Sequence, residues 1–294
     1  MRATLARAYR AGVRRLAALP AVLAVMAPLI RFLAPRVAGS VEHLPDPVIF
    51  EGITLHHGNR SSYTVRALAE GDYEPETRHE LTQRLQPGDT FVDVGAHIGL
   101  FTILAARLVG SDGRVLAFEP DRDTFGYLTK NVDINALHPA AVTLFRSAAG
   151  SGTRISRLWR DPRDSGSSSL IERSHLEKTS AVVDVQPLDS WAGENGWPAV
   201  RLIKLDCEGS EIDVILGMHE WCRRGPIEAA VVEVNAAALQ AGSGSVEGLF
   251  DALRDSGFVS FRDLRDGESV VSRSRMRRLV RESRLIPINI VAAR

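Results

Sequence analysis

Cysteine is scarce in this chain of 294 residues, and neither sign of charge is in excess. The two cysteines, Cys207 and Cys222, have neither the number nor the spacing of a zinc site or a disulfide framework, which favours a reducing, cytoplasmic compartment. Lys+Arg and Asp+Glu both number 36, so the whole molecule has no field that would hold a polyanion. We therefore expect no nucleic-acid partner.

The sequence also lacks an apolar run long enough to cross a bilayer. Residues 1–41 contain seven arginines and no acid, and Leu16–Ile30 carries no charge. A membrane-spanning helix needs about 20 apolar residues, whereas prolines and Arg31 interrupt or close this run, and no small-residue cleavage site marks a signal peptide. We predict a basic, apolar helical segment over residues 1–45 that packs on the main domain or mediates a homodimer. Contact with a membrane surface through residues 1–40 is the alternative.

The rest of the chain, residues 46–294, has the composition of one large globular domain. Hydrophobic residues make up 45% and charged residues 24%, and the 24 Gly and 14 Pro follow no repeat, which excludes disordered and collagenous chains. Short apolar runs typical of strands alternate with segments of helical periodicity. The predicted strands are Thr90–Ala96, Arg114–Pro120, Val142–Ala148, Ala181–Gln186, Val200–Leu205, Ala229–Asn235, Phe258–Phe261 and Leu285–Ala292.

The connections between these strands indicate an α/β fold. Ile98–Val109 and Asp121–Leu137 have helical periodicity, and the polar stretch Arg160–Ser169 is predicted to be a loop. Helices between successive strands require crossover connections, and therefore a mainly parallel sheet with helices on both faces. A turn-rich stretch, Arg262–Ser269, precedes the last strand in place of a helix, which favours an antiparallel final pair.

The residues that follow the first two strands indicate a nucleoside ligand. The first strand ends in Asp93-Val-Gly95-Ala-His97-Ile-Gly99, where Gly95 permits a tight turn and Gly99 lets the next helix pack closely. Glu119 ends the second strand, where a carboxylate is placed to accept both hydroxyls of a ribose. This spacing is not the G-x-G-x-x-G of a dinucleotide site, which argues against a nicotinamide-dependent dehydrogenase. A structural turn with a surface glutamate is the alternative.

Four stretches carry a resemblance to a known family. FVDVGAHIGLFTILAA, RVLAFEPDRDTFGYLTKNVDIN, LDSW and RLIKLDCEGSEIDVILGM resemble the FkbM family of S-adenosylmethionine-dependent methyltransferases. The matching stretches span roughly Gly71 to Asn235, and Lys-Leu-Asp-Cys-Glu-Gly is the most specific piece. The general methyltransferase signature has a glycine where this chain has His97, a departure that the family tolerates. The resemblance implies a class I methyltransferase (Rossmann-like) fold with a seven-stranded sheet and an antiparallel last strand.

The resemblance also implies S-adenosylmethionine as the cofactor. By the resemblance, the methionine part of the cofactor would be lined by Asp93, Gly95, Ala96, His97 and Gly99. Glu119 would contact its ribose, and Ser147 and Ala148 would contact its adenine. Upstream, Gly71-Asp-Tyr73-Glu74-Pro matches the family as well. This stretch either folds over the cofactor or forms an ordinary surface turn before a helix.

Three ionisable residues alternate at the end of the predicted strand Val200–Leu205. Lys204, Asp206 and Glu208 would point to one side of an extended chain, and burying such charges is costly unless they pair or perform a task. In this fold, the end of that strand lies beside the methyl group of the cofactor. Methyl transfer gains from holding acceptor and methyl at attack distance while a base removes the hydroxyl proton. We predict Asp206 and Glu208 as base or acceptor anchor, with Lys204 holding them charged; a structural ion cluster is the alternative.

Further polar residues have two interpretations each. Glu233 and Asn235 end the following strand, and together with Asp206 they offer oxygens to Mg²⁺. Because no ligand-rich loop accompanies them, we predict at most an optional metal site. Asp189 in Leu-Asp-Ser-Trp is an active-site acid by family position or a helix cap. Ser167–Ser169 rims the acceptor pocket or is only a linker.

These features predict a cytoplasmic methyltransferase that moves a methyl group from S-adenosylmethionine to a hydroxyl of a small molecule, a sugar or a secondary metabolite. The hydroxyl is implied by the resemblance alone. Six arginines between Arg273 and Arg284 form either a solvated face or a site for an acidic acceptor. N-methylation, or methylation of a lipid or glycan at a membrane surface, is the alternative within the same fold. A non-catalytic domain would need a decayed cofactor site, and Gly95, Gly99 and Glu119 argue against decay.

Overall fold

The computed structural model describes residues 44–58, 63–135, 137, 142–161, 165–173, 180–270, 272–284 and 287–294. The N-terminal segment predicted over residues 1–45 lies almost entirely outside this part of the chain, together with the packing, dimer or membrane contacts predicted for it. Among the residues that the structure describes, no helix combines the length and the apolarity of a membrane span.

Strands and helices alternate along the described chain. The strands are β1 Val48–Phe50, β2 Ile53–Leu55, β3 Thr90–Val94, β4 Arg114–Phe118, β5 Val142–Phe145, β6 Ala148–Ala149, β7 Arg154–Trp159, β8 Ser180–Gln186, β9 Leu202–Leu205, β10 Ala229–Val234, β11 Ser260–Asp263 and β12 Ile288–Ala293. The α-helices are α1 Tyr63–Ala69, α2 Pro75–Arg84, α3 Leu100–Val109, α4 Arg122–Ile134, α5 Leu188–Glu194, α6 Glu211–Leu216, α7 His219–Arg224, α8 Ala236–Ala241, α9 Val246–Asp255 and α10 Arg273–Ser283.

A seven-stranded sheet organises the domain, with the strand order β11-β12-β10-β9-β3-β4-β5. The five strands β10, β9, β3, β4 and β5 are parallel to one another, whereas β12 runs antiparallel to β10 and β11. This confirms the predicted class I methyltransferase fold with its antiparallel last strand. The strand order reverses between β3 and β9, and in such sheets a ligand binds beyond the carboxyl ends of the strands at this point.

Two hydrophobic cores cover the two faces of this sheet. Val92 and Ile203 pack in one core and Phe91 and Leu202 in the other, because successive side chains of a strand leave opposite faces. These four residues of β3 and β9 are 0% exposed, so both central strands are packed on both sides. The positions of the strand ends are therefore fixed by the core.

Helix α10 contradicts the prediction that no helix precedes the last strand. It lies between β11 and β12, and Met276, Leu279 and Val280 pack on the core. Arginines surround these three apolar residues in the sequence, which hides their helical spacing. The strand predicted over Val142–Ala148 is also divided into β5 and β6.

A separate three-stranded sheet, with the order β6-β8-β7, differs from the single sheet that was predicted. β7 pairs antiparallel with β8, and alternate residues of β8 are buried and exposed. Such alternation is typical of an antiparallel pair with one face in solvent, whereas central parallel strands are apolar throughout. The described part of the chain between β7 and β8, residues 160–161 and 165–173, passes next to the carboxyl ends of β3 and β9.

Candidate active site

A cavity opens at the carboxyl ends of β3, β4 and β9, and it holds about 910 Å³ of space not filled by protein atoms, open solvent included. The predicted residues in its walls are Gly95, Ala96, His97, Glu119, Ser147, Ala148, Lys204, Asp206 and Glu208. Candidates that are far apart in the sequence therefore share one cavity.

The glycines of the turn after β3 are required by close contacts. Gly95 has a φ of +81°, and a Cβ added there would lie 1.9 Å from the backbone oxygen of Asp206. Gly99 has a φ of +96°, and its Cβ would lie 2.7 Å from a methyl group of Leu128 on α4. Glycine tolerates both the conformation and the approach. Gly95 thus allows the turn to lie against the end of β9.

Two backbone N–H groups hold the side chain of Glu119 at the cavity wall. The backbone N–H of His97 donates to Oε2 at 3.0 Å, and that of Asp121 donates to Oε1 at 2.8 Å. Burial, with Glu119 only 7% exposed, raises its pKa to about 8 against the opposing effect of these two donors. The side chain is held at the end of β4, where the sequence analysis placed a ribose contact.

His97 connects the glycine turn to the other side of the cavity. Its backbone has a φ of +51°, and its Nε2 lies 2.8 Å from the hydroxyl oxygen of Ser165. Burial lowers the pKa of His97 to about 4, so the ring is neutral at pH 7. A neutral imidazole has one donor and one acceptor nitrogen, and either suits a serine hydroxyl.

Asp93 is fully buried and is not part of the cavity wall, although the resemblance implies that it contacts the cofactor. Its Oδ2 accepts a hydrogen bond of 2.6 Å from the hydroxyl of Thr102 on α3. Burial raises the pKa of Asp93, while the nearby charge of Lys204 opposes this rise. Asp93 therefore anchors α3 and neighbours Lys204, its partner in the β3–β9 register.

Lys204 forms the predicted ion pair with Asp206. Its Nζ donates to Oδ2 of Asp206 at 2.7 Å and lies 4.9 Å from the centre of the Phe101 ring. Burial alone would lower the pKa of this ammonium, but the carboxylates of Asp206 and Glu74 outweigh burial and raise it. Lys204 is thus positively charged at neutral pH although it is 3% exposed.

Glu208 does not pair with Lys204, contrary to the expectation that one lysine holds both acids. β9 ends at Leu205, and Glu208 has a left-handed backbone with a φ of +53°, so the alternation of an extended strand does not continue to it. Its Oε2 lies 3.2 Å from Nη2 of Arg173. Burial, followed by the charge of Asp206, raises the pKa of Glu208 to about 8.

Asp206, Glu208 and Glu233 each offer one carboxylate oxygen within 4.8 Å of the others. The side-chain oxygen of Asn235, the other predicted metal ligand, accepts from the N–H of Ala238 at 3.1 Å and caps α8. Among the described residues, Oε2 of Glu233 is buried without a hydrogen-bond partner. These three carboxylates fit a divalent cation, which when bound would stabilise negative charge on an acceptor oxygen.

Glu74 is a charged neighbour of the site that sequence reasoning did not identify. It has a φ of +40°, and its Oε2 accepts from the side-chain amide of Asn289 at 2.9 Å. Burial raises the pKa of Glu74 and Lys204 opposes the rise, so the two side chains are close. Tyr73 lines the cavity. This agrees with the interpretation that the stretch Gly71–Pro75 folds over the cofactor site, but nothing in the family pattern predicts that Glu74 lies near Lys204.

Other polar candidates lie outside the cavity wall or play structural roles. The carboxylate of Asp189 accepts from the N–H of Trp221 at 2.7 Å and caps α7. Arg275 is 8% exposed and pairs with Asp263 at 3.3 Å and Glu268 at 3.0 Å, so this arginine belongs to an internal ion network. Ser168 lines the cavity, in agreement with one of the two interpretations of the serine stretch.

Comparison with known proteins gives a consistent result. The model of the Methyltransferase FkbM domain matches residues 93–260, more than half of the chain. Methyltransferase 1 of Beauveria bassiana is 29% identical over 153 residues, covering 46% of this chain and 60% of that protein. The hexuronic acid methyltransferase AglP of Haloferax volcanii is 25% identical over 158 residues, covering 53% of this chain and 60% of that protein.

Among solved structures, the methyltransferase FkbM from Methylobacillus flagellatus KT aligns with a TM-score of 0.45 at 18% identity, covering 78% of this chain and 54% of that one. The chain spans about 60% of the length of each of these two curated relatives. On the strength of the match over residues 93–260, this chain belongs to the FkbM family of methyltransferases.

Proposed function

We propose that this chain is an S-adenosylmethionine-dependent methyltransferase that methylates a hydroxyl group of a small molecule, a sugar or a secondary metabolite. The observation that carries the proposal is the shared cavity. The glycine turn and Glu119 line it together with the charged residues Lys204, Asp206 and Glu208. Direct methyl transfer requires a donor and an acceptor bound side by side in one cavity.

The residues of the cavity fit the proposed cofactor. Gly95 lets the turn lie against the end of β9, and the fixed carboxyl group of Glu119 suits two ribose hydroxyls. Ser147 and Ala148, which follow β5 and line the cavity, flank the position proposed for the adenine. When bound, this cofactor supplies a methyl group on a positively charged sulfur, which the neighbouring carboxylates favour.

The acids beside β9 supply the chemistry for a hydroxyl acceptor. Asp206 and Glu208 offer oxygens that accept the hydroxyl proton as the new bond forms. A base is most effective when its pKa is near the working pH, and the pKa of Glu208, raised by burial to about 8, meets this condition. Lys204 keeps Asp206 paired and in place at 2.7 Å.

A sugar acceptor is supported by one relative. The similar protein of Haloferax volcanii is named a hexuronic acid methyltransferase, and hexuronic acids are sugar acids. The described walls of the present cavity contain serine hydroxyls at positions 147, 165, 168 and 210, which suit hydrogen bonds to a polyol.

Calorimetry with the purified protein tests the proposal. We expect binding heat with S-adenosylmethionine and S-adenosylhomocysteine, and none with NADH. Mass spectrometry of ligands retained by the protein would then identify both cofactor and acceptor. If NADH binds while neither S-adenosylmethionine nor S-adenosylhomocysteine gives binding heat, the proposal is wrong.

A further inference from the structure

Residues 165–173, here called the strap, form one wall of the cavity. The strap begins with a single 3₁₀ turn at Ser165–Ser167. Four of its residues line the cavity, namely Ser165, Gly166, Ser168 and Leu170. It therefore covers the space between the glycine turn and the acids that follow β9.

Polar contacts attach the strap to both parts of the site. Ser165 meets His97 of the glycine turn at 2.8 Å, as described above. The hydroxyl of Ser169 donates to the backbone oxygen of Glu208 at 2.9 Å. Ser169 also exchanges two backbone hydrogen bonds, of 2.7 and 2.9 Å, with Trp159 at the end of β7. The strap thus spans from the cofactor side to the acid side.

An apolar contact adds to this attachment. A Cβ added to Gly209 or to Gly242 would lie 3.0 or 2.5 Å from Cδ1 of Ile171. Because these glycines have no side chains, the side chain of Ile171 can pack against both of them. This packing places the strap directly against the turn that carries Glu208.

Arg173 joins the strap to the carboxylate itself. Its Nη2 donates to Oε2 of Glu208 at 3.2 Å and to the backbone oxygen of Ser167 at 3.1 Å. The side chains of the pair are only 12% and 13% exposed. A planar guanidinium holds a carboxylate and a carbonyl together, which a lysine ammonium does less well because it is a point charge on a flexible stem.

We propose that Arg173 is a positioning residue that closes the strap over the cavity and holds the Glu208 carboxylate in place for the acceptor. The role in acceptor positioning rests on the proposed function; the closing of the strap does not. Two measurements therefore test the two parts separately.

The first measurement uses Cys207, which lines the cavity beside Glu208. We expect Arg173→Met to increase the rate of alkylation of Cys207 by iodoacetamide at least about threefold, measured by mass spectrometry of the peptide, since the strap would open. Removing the positive charge of Arg173 would disfavour the reactive thiolate form of Cys207 and slow its alkylation. A faster alkylation would therefore report easier access of iodoacetamide to Cys207. Arg157→Met, an exposed arginine on β7, is the matched control and should leave the rate unchanged.

The second measurement is steady-state kinetics with the acceptor identified from retained ligands. We expect Arg173→Met to lower kcat/KM for the acceptor by about 10- to 100-fold, because misplacement of a catalytic group by about 1 Å has effects of this size. The dissociation constant of S-adenosylmethionine should change by less than about twofold, since the glycine turn is untouched. Arg173→Lys should recover part of the loss, because it restores the charge without the planar fork.

Unchanged alkylation of Cys207 in a folded Arg173→Met variant would overturn the proposal. Faster alkylation with unchanged kcat and KM for the acceptor would overturn the positioning role. If Arg173→Met does not fold, Ser169→Ala and Arg173→Lys receive the same two measurements, and wild-type values in both would overturn the proposal. A wild-type protein that binds no S-adenosylmethionine would refute the proposed function instead, and alkylation would still decide whether Arg173 closes the strap.

Discussion

Glu119 is the proposed ribose contact whose position is most directly defined, because backbone donors fix both of its oxygens. Glu119→Ala would remove two hydrogen bonds to a ribose, worth roughly 0.5–1.5 kcal/mol each for the uncharged acid. We expect the affinity for S-adenosylmethionine to fall at least about tenfold in calorimetry. Glu119→Gln preserves the shape and should lose less. Equal affinity in wild type and Glu119→Ala would contradict the ribose assignment.

The chemical step is tested by amide replacements of the two acids after β9. If Asp206 or Glu208 is the base, Asp206→Asn or Glu208→Gln should lower kcat by roughly 10²–10⁴. Cofactor affinity should stay nearly unchanged, since each amide keeps the shape of the acid and removes its basicity. Steady-state rates and calorimetry on the same preparations provide both quantities.

A structural ion cluster would respond differently to the same two replacements. Asp206→Asn would leave the buried ammonium of Lys204 without its charged partner at 2.7 Å, and Glu208→Gln would remove the carboxylate that pairs with Arg173. Breaking a buried pair costs several kcal/mol, so the melting temperature would fall together with activity. Full activity in both variants would refute the catalytic assignment whatever the melting curves show.

Glu211 gives the fold a pH-dependent weakness. Its Oε1 accepts the N–H groups of Cys207 and Gly209, whereas its Oε2 is buried without a partner among the described residues. Burial raises the pKa of Glu211 from 4.5 to about 7. A raised pKa means that the folded state binds the proton more tightly than the unfolded state. The stability contributed by this group is therefore complete below pH 4.5 and is lost as the pH rises through about 7.

Glu211→Gln should remove this loss, because its amide keeps an acceptor for the two N–H groups and has no charge to bury. We expect the variant to gain up to about 3 kcal/mol at pH 8 relative to wild type, and much less at pH 5, from about 1.4 kcal/mol per pKa unit. Urea unfolding at the two pH values, in chelator-treated protein, measures the difference. A gain of equal size at both would contradict the assignment of the pKa shift to Glu211.

At the scale of elements, the approach of β3 to the end of β9 depends on Gly95. Gly95→Ala would place a Cβ 1.9 Å from the backbone oxygen of Asp206, which cannot move aside like a flexible side chain. A left-handed conformation alone costs an alanine roughly 1–2 kcal/mol. Because the steric clash adds to this cost, we expect Gly95→Ala to lose cofactor binding and to be destabilised by well over that amount. Gly88→Ala is the control, since Gly88 has a φ of +91° with nothing within 4 Å. Similar melting temperatures for the two variants would show that the contact is unimportant.

The sequence predicted best those strands whose apolar pattern reflects burial on both faces of the sheet. β3 and β9 appear in the sequence as nearly continuous apolar runs because both faces of the sheet are covered. α10 was missed because ion pairs such as Arg275 with Asp263 bury arginines that composition treats as solvated. The separate β6-β8-β7 sheet was missed as a unit, since pairing between strands depends on long-range contacts that periodicity does not encode.

The same limit applies to the candidate site. The glycine turn, Glu119 and the ion pair between Lys204 and Asp206 follow from local pattern and strand geometry. The contact of Glu208 with Arg173 depends on a left-handed residue after β9, and no sequence period predicts such a conformation. Glu74 reaches the site from a helix terminus more than 100 residues earlier, and only the folded chain reveals its charge there.

At the scale of the whole molecule, a net charge of zero coexists with a strongly acidic site. Glu233 lies among four other acids around the end of β9, whose charges raise its pKa, namely Glu74, Asp206, Glu208 and Glu211. The pKa of Glu233 is raised well above its ordinary value by burial and then by Asp206. The described cations that contact these acids are Lys204 and Arg173. Carboxylates in excess of cations attract either protons or a divalent cation.

The whole-chain response to chelation distinguishes these two possibilities. We expect turnover to persist in EDTA, because Lys204 and Arg173 already neutralise two of the three carboxylates that would hold the metal and protons occupy acids with raised pKa values.

Added Mg²⁺ should then act only as an optional ligand of the folded state. At 100 times its dissociation constant it would stabilise the fold by about 2.7 kcal/mol, visible as a rise of a few degrees in melting temperature. Glu233→Gln should abolish that rise by removing one ligand oxygen. Complete loss of turnover in EDTA, restored by Mg²⁺ in wild type and not in Glu233→Gln, would instead make Asp206, Glu208 and Glu233 obligatory metal ligands.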